Sequence, residues 1–241
     1  MREPILLSAQ GRVALVAGVA GGIGQAVAHL FQQAGARVAG FDRRPAETDL
    51  YLRGDASLER DVASAVHAAM ERFGRLDFVV NAVGVTGEGC LAEQSTADWQ
   101  RILDVNLNSA FLLARAVFPH LSQTNGCLVL MGSTNGSNGG SSLSGPAYAV
   151  AKAGVANLTR YLAKEWASAG VRVNCVVPGP VDTSMLDRLD TSTHQALREA
   201  IPLKRYATAE EIAGAIAFLC SFHAASMTGA FLNISGGLWL D

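Results

Sequence analysis

The chain has 241 residues, of which 49% are hydrophobic, and its formal net charge is −2. This length suffices for one domain with a complete hydrophobic core and does not require a second domain. The near-neutral charge excludes electrostatic binding of nucleic acid, which needs a basic face.

No apolar run approaches the ~20 residues that cross a bilayer. The N-terminal "MREPILLSAQGRVAL" lacks the long apolar core of a signal peptide, so we expect a cytoplasmic protein that binds no membrane. Four scattered cysteines without a CxxC pair are expected to be reduced thiols, and five histidines without metal-ligand spacing predict no metal site.

Apolar runs of strand length alternate with longer segments of helical periodicity along the whole chain. The predicted strands are RVALVAG, ARVAGFD, DLYLRGD, RLDFVVNAVG, GCLVLMGS, GVRVNCVVPG and GAFLNISGG. The predicted helices include GIGQAVAHLFQQAG, LERDVASAVHAAMERFG, one long helix from Ser95 or Thr96 through FPHL, PAYAVAKAGVANLTRYLAKEWAS and AEEIAGAIAFLC. This alternation predicts a single α/β domain over residues 1–241: a doubly wound parallel sheet of about seven strands, of the Rossmann type, with helices on both faces.

Two polar segments interrupt this pattern. "GSTNGSNGGSSLSG" lies between an apolar strand and an apolar helix, and we interpret it as a site loop rather than a domain boundary. Residues 184–206 form the longest connection between predicted elements, which is typical of a mobile substrate lid.

The turn after the first strand is rich in glycine. "AGVAGGIG" places Gly18, Gly22 and Gly24 between a buried strand and the start of a helix. Glycine permits a tight turn and close approach of a ligand, and the free N–H groups of the helix start suit a pyrophosphate. The spacing is GxxxGxG rather than GxGxxG, and no GK[ST] follows, so dinucleotide binding is favoured over nucleoside triphosphate hydrolysis.

Asp42 ends the second predicted strand, eighteen residues after Gly24. A carboxylate at that position accepts hydrogen bonds from a ribose diol and repels a 2′-phosphate, which favours NAD over NADP. Arg43 and Arg44 leave NADP open as the less favoured cofactor, because an arginine beside the ribose can hold a phosphate.

Tyr148 and Lys152 stand four residues apart in "GPAYAVAKAG". In a helix these residues lie on one face, one above the other, so the phenol and the ammonium can share a site. The alanines around them leave room for a ligand to approach.

At this point the chain resembles the short-chain dehydrogenase/reductases over nearly its whole length. The resemblance is carried by six pieces in order: "GVAGGIG", "NAVG" after the fourth strand, "VNL" in the long helix, "GS" at the end of the fifth strand, YxxxK at Tyr148–Lys152, and "PGPVDT" after the sixth strand. It implies an oxidoreductase that acts on CH–OH groups with a nicotinamide dinucleotide.

The resemblance also implies a role for individual residues. The catalytic residues would be Asn106, Ser133, Tyr148 and Lys152. The cofactor would be bound by Gly18, Gly22, Ile23 and Gly24 at the pyrophosphate, Asp42 at the ribose, Asp55 and Ala56 at the adenine, Asn81, Ala82 and Gly84 along its centre, Tyr148 and Lys152 at the nicotinamide ribose, and Pro178, Val181 and Thr183 at the carboxamide.

Three features depart from the family pattern. Ala17 replaces the threonine that usually precedes the first glycine, which predicts a looser turn. The connection from Asp42 to Asp55 has lost most of a helix, as in the dihydrodihydroxybenzoate dehydrogenase branch, and this hints at cyclic diol substrates. Ser133 lies fifteen residues before Tyr148 rather than about thirteen, so the loop serines 137, 141, 142 and 144 remain rivals, although Ser133 ends the strand.

Hydride transfer to or from a carbinol carbon leaves a proton to be moved on the alcohol oxygen. A lysine ammonium at ~4 Å, in an effective dielectric of ~20, would favour a phenolate by roughly 4 kcal/mol. We therefore predict that Lys152 lowers the pKa of Tyr148, the general acid/base, by up to about three. Ser133 would stabilise the substrate oxygen, and Asn106 would position a water that links Lys152 to solvent.

The leading hypothesis from the sequence is an NAD-dependent enzyme that oxidises a small or cyclic secondary alcohol or reduces the corresponding ketone. One alternative is an NADPH-dependent 3-oxoacyl thioester (acyl-carrier-protein) reductase, and another is a non-catalytic dinucleotide-sensing protein. Wide apolar faces on "DWQRILDVNLNSAFLLARAV" and "VANLTRYLAKEW" predict a homo-oligomer, a tetramer or else a dimer.

Overall fold

The structure is a computed structural model that describes residues 7–240. Residues 1–6, on which the expectation of a missing signal peptide partly depends, and residue 241 lie outside that range. The strands are β1 Val13–Ala17, β2 Arg37–Asp42, β3 Leu50–Arg53, β4 Phe78–Asn81, β5 Cys127–Met131, β6 Arg172–Pro178 and β7 Phe231–Ile234. They form one parallel sheet in the order β3-β2-β1-β4-β5-β6-β7, which confirms the predicted doubly wound fold.

Helices cover both faces of the sheet. They are α1 Gly22–Gln33, α2 Glu59–Phe73, α3 Thr96–Leu103, α4 Ser109–Thr124, α5 Thr134–Asn138, α6 Pro146–Trp166, α7 Thr191–Ala200 and α8 Ala209–Cys220. Helices α1 and α8 bury Phe31 and Ile212 in one core, whereas α2, α4 and α6 bury Leu113 and Val155 in the core on the opposite face. Neighbouring residues of one strand point to opposite faces, so Leu15 of β1 joins the second core and Val16 joins the first.

The long helix predicted after the fourth strand is not uninterrupted. Between α3 and α4, residues Asp104–Asn108 form a π-helical turn, an insertion that is frequent at functional sites. The side-chain amide of Asn106 within it donates to the carbonyls of Ile102 (2.9 Å) and Val85 (2.8 Å), so a contact with a distant loop stabilises the irregular turn.

Contrary to the expectation that no segment is apolar over the length of a membrane span, Thr96–Thr124 would suffice by length and composition, with a mean hydropathy of 1.2 in its most apolar window. The apolar side chains of α4 have another explanation in this fold. Leu113, Val117 and Leu121 are buried in the core beneath the sheet, as expected for the core helix of an α/β protein.

Two helices lie in segments predicted only as polar loops. Helix α5 begins after Ser133, whose hydroxyl accepts a hydrogen bond from the Asn135 N–H, and α7 begins after Asp190, whose carboxylate accepts from the Thr193 N–H. Neither has the apolar periodicity of a core-facing helix, and α7 buries none of its residues. These side-chain caps, rather than hydrophobic burial, mark where the two helices begin.

A buried carboxylate stabilises the opposite end of the sheet from the glycine-rich turn. The side chain of Asp77, just before β4, is fully buried and accepts hydrogen bonds from the Val13 N–H (3.0 Å), Arg12 (2.8 Å) and Arg75 (2.7 and 2.8 Å). Burial alone would raise the pKa of Asp77, but the hydrogen bonds from Arg75, Val13 and Arg12 hold it below its usual value.

Candidate active site

A groove runs across the carboxyl ends of the strands. One part of it is lined by Gly18, Asp42 and Asp55, and the other by Ser133 and Tyr148. Residues 82–84 border both parts, so the two form one continuous groove. This is the edge at which doubly wound sheets bind their ligands.

The glycine-rich turn is packed so closely that larger residues do not fit. Gly18 has a φ of +79°, and a Cβ there would lie 2.7 Å from the backbone of Ala82. A Cβ on Gly24 would lie 2.1 Å from the carbonyl oxygen of Gly18. Across the groove, a Cβ on Gly22 would lie 2.8 Å from the methyl group of Thr183. The Gly22 backbone therefore packs directly against the opposite wall.

Helix α1 begins at Gly22 without a side-chain cap and without an acidic residue in its first turn. The N–H groups of such a first turn have no partner within the helix and carry its partial positive charge. The turn, with Ile23 in the wall of the groove, therefore fits the pyrophosphate of a dinucleotide.

At the end of β2, the carboxylate of Asp42 accepts hydrogen bonds from the N–H groups of Ala20 and Arg44, both at 3.0 Å. The guanidinium of Arg44 donates to the Ala20 carbonyl (3.1 Å), and that of Arg43 lies 3.6 Å from Asp55. The backbone thus holds the Asp42 carboxylate in the groove, while both arginines have partners within the protein.

The predicted adenine-side residues lie along the same part of the groove. Asp55 accepts hydrogen bonds from the N–H (2.9 Å) and hydroxyl (2.7 Å) of Ser57. Burial alone would raise the pKa of Asp55, but these hydrogen bonds and Arg43 lower it below its usual value. Ala56 borders the same part of the groove and packs against the core.

The centre of the groove is formed by "NAVG". Asn81 is buried, and its side-chain oxygen accepts from the Val83 N–H at 3.1 Å, which bends the chain away from the end of β4. The Ala82 N–H donates to Ala17 of β1 at 2.8 Å. A Cβ on Gly84 would lie 3.2 Å from the side-chain oxygen of Asn106, so a larger residue here would press on Asn106.

Tyr148 and Ser133 both line the deeper cavity, and the Ser133 hydroxyl is near enough to the phenol to lower its pKa. Ser133 follows Gly132 directly after β5, whereas Tyr148 lies in the first turn of α6. Of the rival serines, Ser141 and Ser144 also border this cavity but hydrogen-bond to each other, and serines 137 and 142 do not border it. The structure therefore places Ser133, rather than a loop serine, beside the phenol.

Lys152 is 4% exposed, and its Nζ donates to the Met131 carbonyl at 2.9 Å. Its Nζ lies over the Tyr148 ring, 5.6 Å from the ring centre. Burial lowers the pKa of Lys152 to about 8.

Burial also raises the pKa of Tyr148, and the nearby Ser133 hydroxyl opposes this effect only in part. The prediction that Lys152 lowers the pKa of Tyr148 is therefore wrong for this arrangement. The Lys152 ammonium already donates to the Met131 carbonyl. The desolvation of the phenolate therefore outweighs the attraction between the phenolate and the ammonium.

Asn106 is 1% exposed and lies next to Gly84 and Lys152. Its side chain both donates to the Val85 carbonyl and accepts from the Val85 N–H (3.3 Å), so it fixes the loop that follows β4. The side chain is thus a structural anchor for the groove.

On the other wall, Pro178 ends β6, and Val181 pairs with Ala207 in an isolated parallel bridge. The Thr183 hydroxyl donates to the Val181 carbonyl at 3.4 Å. All three residues border the cavity that contains Tyr148. Thirteen of the seventeen residues predicted from the resemblance line this groove. The other four, Gly22, Gly24, Asn81 and Asn106, do not line it and lie next to residues that do.

Several residues of the cavity were not predicted as site residues. Thr86, Asn135 and Arg188 contribute polar groups. The remaining wall is largely apolar and includes Leu143, Met185, Leu186, Leu189, Leu197 and Leu238. Most of these residues belong to the predicted site loop or to the predicted lid, which includes α7. No periodicity or motif signals which side chains of these segments line the cavity.

Within residues 7–240, no group of three or more histidine, cysteine or acidic side chains is placed to hold a metal ion. The four cysteines are free thiols, of which Cys90 is exposed and the others are buried.

Residues 18–239 match the family described as "Enoyl-(Acyl carrier protein) reductase". The chain is 33% identical to the 3-oxoacyl-[acyl-carrier-protein] reductase FabG of Thermotoga maritima, over 95% of this chain and 98% of that one. It is 36% identical to the enzyme of the same name from Pseudomonas aeruginosa, over 98% and 100%. Among solved structures, the "Short-chain dehydrogenase/reductase SDR:Glucose/ribitol dehydrogenase" of Brucella melitensis has a TM-score of 0.91 at 32% identity, over 98% of this chain and 99% of that one.

The chain belongs to the short-chain dehydrogenase/reductase family. It is an oxidoreductase of CH–OH or keto groups, and its cofactor is a nicotinamide dinucleotide. The predicted recognition and enzyme class are confirmed.

Proposed function

We propose that the protein interconverts a 3-oxoacyl thioester and the corresponding 3-hydroxyacyl thioester. The observation that carries this proposal is the cavity itself. Ser133 and Tyr148 line one side of it, and largely aliphatic side chains from the site loop, the lid with its helix α7 and the C-terminal segment line the rest. Such walls suit an acyl chain better than a polyol, whose hydroxyl groups would lose their hydrogen bonds to water. The names of the relatives from Thermotoga maritima and Pseudomonas aeruginosa support the same substrate class. This alternative is preferred to the small or cyclic secondary alcohol favoured by the sequence.

The proposed cofactor-binding residues are those of the groove: the α1 turn for the pyrophosphate, Asp42 for the adenine ribose, and the segment after Pro178 for the nicotinamide. When bound, the nicotinamide dinucleotide supplies or accepts the hydride. We propose NAD(H) as the preferred form because the Asp42 carboxylate is fixed by two backbone N–H groups and would repel a 2′-phosphate.

Tyr148 is the proposed proton donor to the carbonyl oxygen during reduction. Its raised pKa keeps the hydroxyl protonated near neutrality, which suits a general acid. Ser133 donates a hydrogen bond to the same oxygen as negative charge develops there. Lys152 holds a positive charge behind the phenol at neutral pH, and Asn106 keeps the adjoining loop in place.

Residues 184–206 are proposed to form a lid. Met185, Leu186, Leu189 and Leu197 of this segment border the cavity, yet α7 within it has no buried residue. Ile201 and Tyr206 at the end of the segment are buried and anchor it, so the part before them, which includes α7, is the part that can open at low cost in free energy.

The outer pocket beyond the mouth of the cavity is lined by Glu88, Glu93, Asp98 and Asp190 against two guanidinium groups. This excess of acidic side chains disfavours a strongly anionic carrier near the mouth. The probe best matched to the site is therefore a neutral thioester, such as acetoacetyl-N-acetylcysteamine.

A second candidate, oxidation of a sugar or cyclic diol, is favoured by the similarity to the glucose/ribitol dehydrogenase of Brucella melitensis and by the short β2–β3 connection. The test compares NADH-dependent reduction of the thioester with NAD-dependent oxidation of glucose, ribitol and a cyclic diol. We expect turnover of the thioester that the Tyr148→Phe variant lacks. Turnover of the diols or sugars with none of the thioester would overturn the proposal in favour of the second candidate.

We also propose a homo-oligomer, a tetramer or else a dimer, in the cytoplasm. Phe111 on α4 and Val150 and Tyr161 on α6 are 46%, 49% and 61% exposed, which leaves large apolar groups on the outer faces of both helices. Measurement of the mass in solution at micromolar concentration tests this, and a monomer would contradict it.

A further inference from the structure

Arg188 reaches across the mouth of the substrate cavity. It belongs to the connection between β6 and α7, and it borders both the cavity that contains Tyr148 and the outer pocket. Its guanidinium donates to the carbonyl of Leu143 on the opposite loop. Three loops thus meet at this one side chain, because its Nη1 also lies 3.8 Å from Glu88.

Few other charged groups in the cavity compete with this guanidinium for an oxygen ligand. Among the described residues that line the cavity, Lys152 and Arg188 carry the positive charges, and none is a carboxylate. Lys152 is buried and donates to the Met131 carbonyl, whereas 33% of the Arg188 side chain is exposed. Glu88, its acidic neighbour, is 84% exposed and too distant for a hydrogen bond, so most of the five N–H donors of Arg188 remain available.

We propose that Arg188 determines specificity by binding the acyl carbonyl oxygen of the 3-oxoacyl substrate. Its present ligand, the Leu143 carbonyl, belongs to the same class of acceptor as a thioester carbonyl, so substrate binding exchanges one for the other. A 3-oxoacyl thioester has two carbonyl groups, and with the ketone at Tyr148 and Ser133 the acyl carbonyl is the one left for the mouth. This inference rests on the proposed function, and it adds the residue that distinguishes such substrates from simple ketones and alcohols.

The test compares Arg188→Met and Arg188→Lys with the wild type on acetoacetyl-N-acetylcysteamine and on a straight-chain methyl ketone, with NADH as reductant. For Arg188→Met we expect the KM for the thioester to rise by about 10- to 100-fold, the range of a lost hydrogen bond from a charged donor. The kcat should change by less than about threefold, since Arg188 touches neither the reacting carbonyl nor Tyr148. Arg188→Lys keeps the charge and should recover part of the loss.

Arg101→Met is the matched control. Arg101 lies on α3 at the outer pocket, pairs with Asp98 at 3.5 Å, and does not border the cavity. We expect its KM for the thioester to equal that of the wild type. Thermal unfolding of all variants verifies that the fold is retained, which the surface position of Arg188 favours.

Two results would overturn the role of Arg188 alone. One is an unchanged KM for the thioester in Arg188→Met; the other is an equal loss on the thioester and the methyl ketone, which would assign Arg188 to loop closure only. If the wild type reduces the methyl ketone too slowly to measure, the Kd for NADH takes its place as the control. An unchanged Kd in Arg188→Met then shows that a raised KM for the thioester reflects substrate binding rather than a general disturbance of the site. A wild type that reduces no thioester would overturn the proposed function and this inference together, and that result is visible before any variant is made.

Discussion

Lys152 carries a cost in stability that the structure allows us to estimate. The side chain is 4% exposed, and burial lowers its pKa from 10.5 to about 8. At about 1.4 kcal/mol for each pKa unit, holding the charged ammonium in the folded protein costs about 3 kcal/mol at neutral pH. Methionine has a similar length and no charge. Its introduction removes this cost but also the hydrogen bond to Met131, worth about 1–2 kcal/mol.

We therefore expect Lys152→Met to be more stable than the wild type by about 1–2 kcal/mol at neutral pH, and its Tm to be higher by roughly 4 °C. The sign of the pH dependence follows from the lowered pKa. Below pH 8 the lysine is protonated in both states and the full cost is present. Between about 8 and 10.5 the unfolded chain binds the extra proton, so the stability of the wild type rises with pH. The advantage of the variant should therefore disappear by about pH 10.

The assay is urea unfolding of both proteins at neutral pH and at about pH 9.5, with activity measured in parallel. Activity should be lost in Lys152→Met at either pH, because the charge behind Tyr148 is gone. Lys164→Met, at an exposed position of the same helix, is the control and should change stability by less than about 0.5 kcal/mol at either pH. A variant that is less stable than the wild type at neutral pH, or a difference that does not vary with pH, would refute the reasoning.

Three further substitutions, the first with a matched control, probe other parts of the molecule. Gly24→Ala places a Cβ 2.1 Å from the Gly18 carbonyl oxygen, so it should lower the free energy of unfolding by more than about 3 kcal/mol and abolish NADH binding. Gly214→Ala, with open space around it in α8, is the control and should raise the free energy of unfolding by about 0.5–1 kcal/mol; equal thermal shifts would contradict this. Asp42→Asn keeps the side-chain oxygen that accepts from Ala20 but loses the charge, so the ratio of the Kd values for NADPH and NADH should fall by about tenfold or more; an unchanged ratio in fluorescence titrations would remove Asp42 as the selector. Asp77→Asn should destabilise by about 2–4 kcal/mol at neutral pH in urea unfolding. Because the pKa of Asp77 is lowered in the fold, this difference should shrink as the pH falls below about 4, and a difference that persists in acid would contradict the assignment.

The parts of the fold that were predictable leave a local signal in the sequence. Strand β1 is a run of five buried apolar residues, and the tight turn after it needs glycine at positions 18 and 24 whatever the rest of the chain does. Tyr148 and Lys152 share a helix face through their spacing alone. Such features depend on backbone geometry within a few residues, so the sequence contains them directly.

The π-helical turn at Asp104–Asn108 was not predictable in this way. It is stabilised by hydrogen bonds between Asn106 and Val85, which are 21 residues apart. The shift of the Tyr148 pKa was missed for a related reason. A flexible lysine side chain has several acceptors within reach, and only the structure shows that its Nζ donates to the Met131 carbonyl.

The chemistry and the substrate preference of this protein are set by different kinds of structure. Ser133 and the Met131 carbonyl that holds Lys152 are fixed by β5, and Tyr148 lies on α6, so the proposed reacting groups stand on regular elements packed into the core. Leu143, Arg188 and Leu197 belong to loops and to a helix without buried residues. A relative can therefore keep the first set and replace the second without loss of the fold. For this reason the family of the chain is readable from short motifs, whereas the substrate specificity that we propose rests on a contact, between Arg188 and Leu143, that forms only when two loops meet.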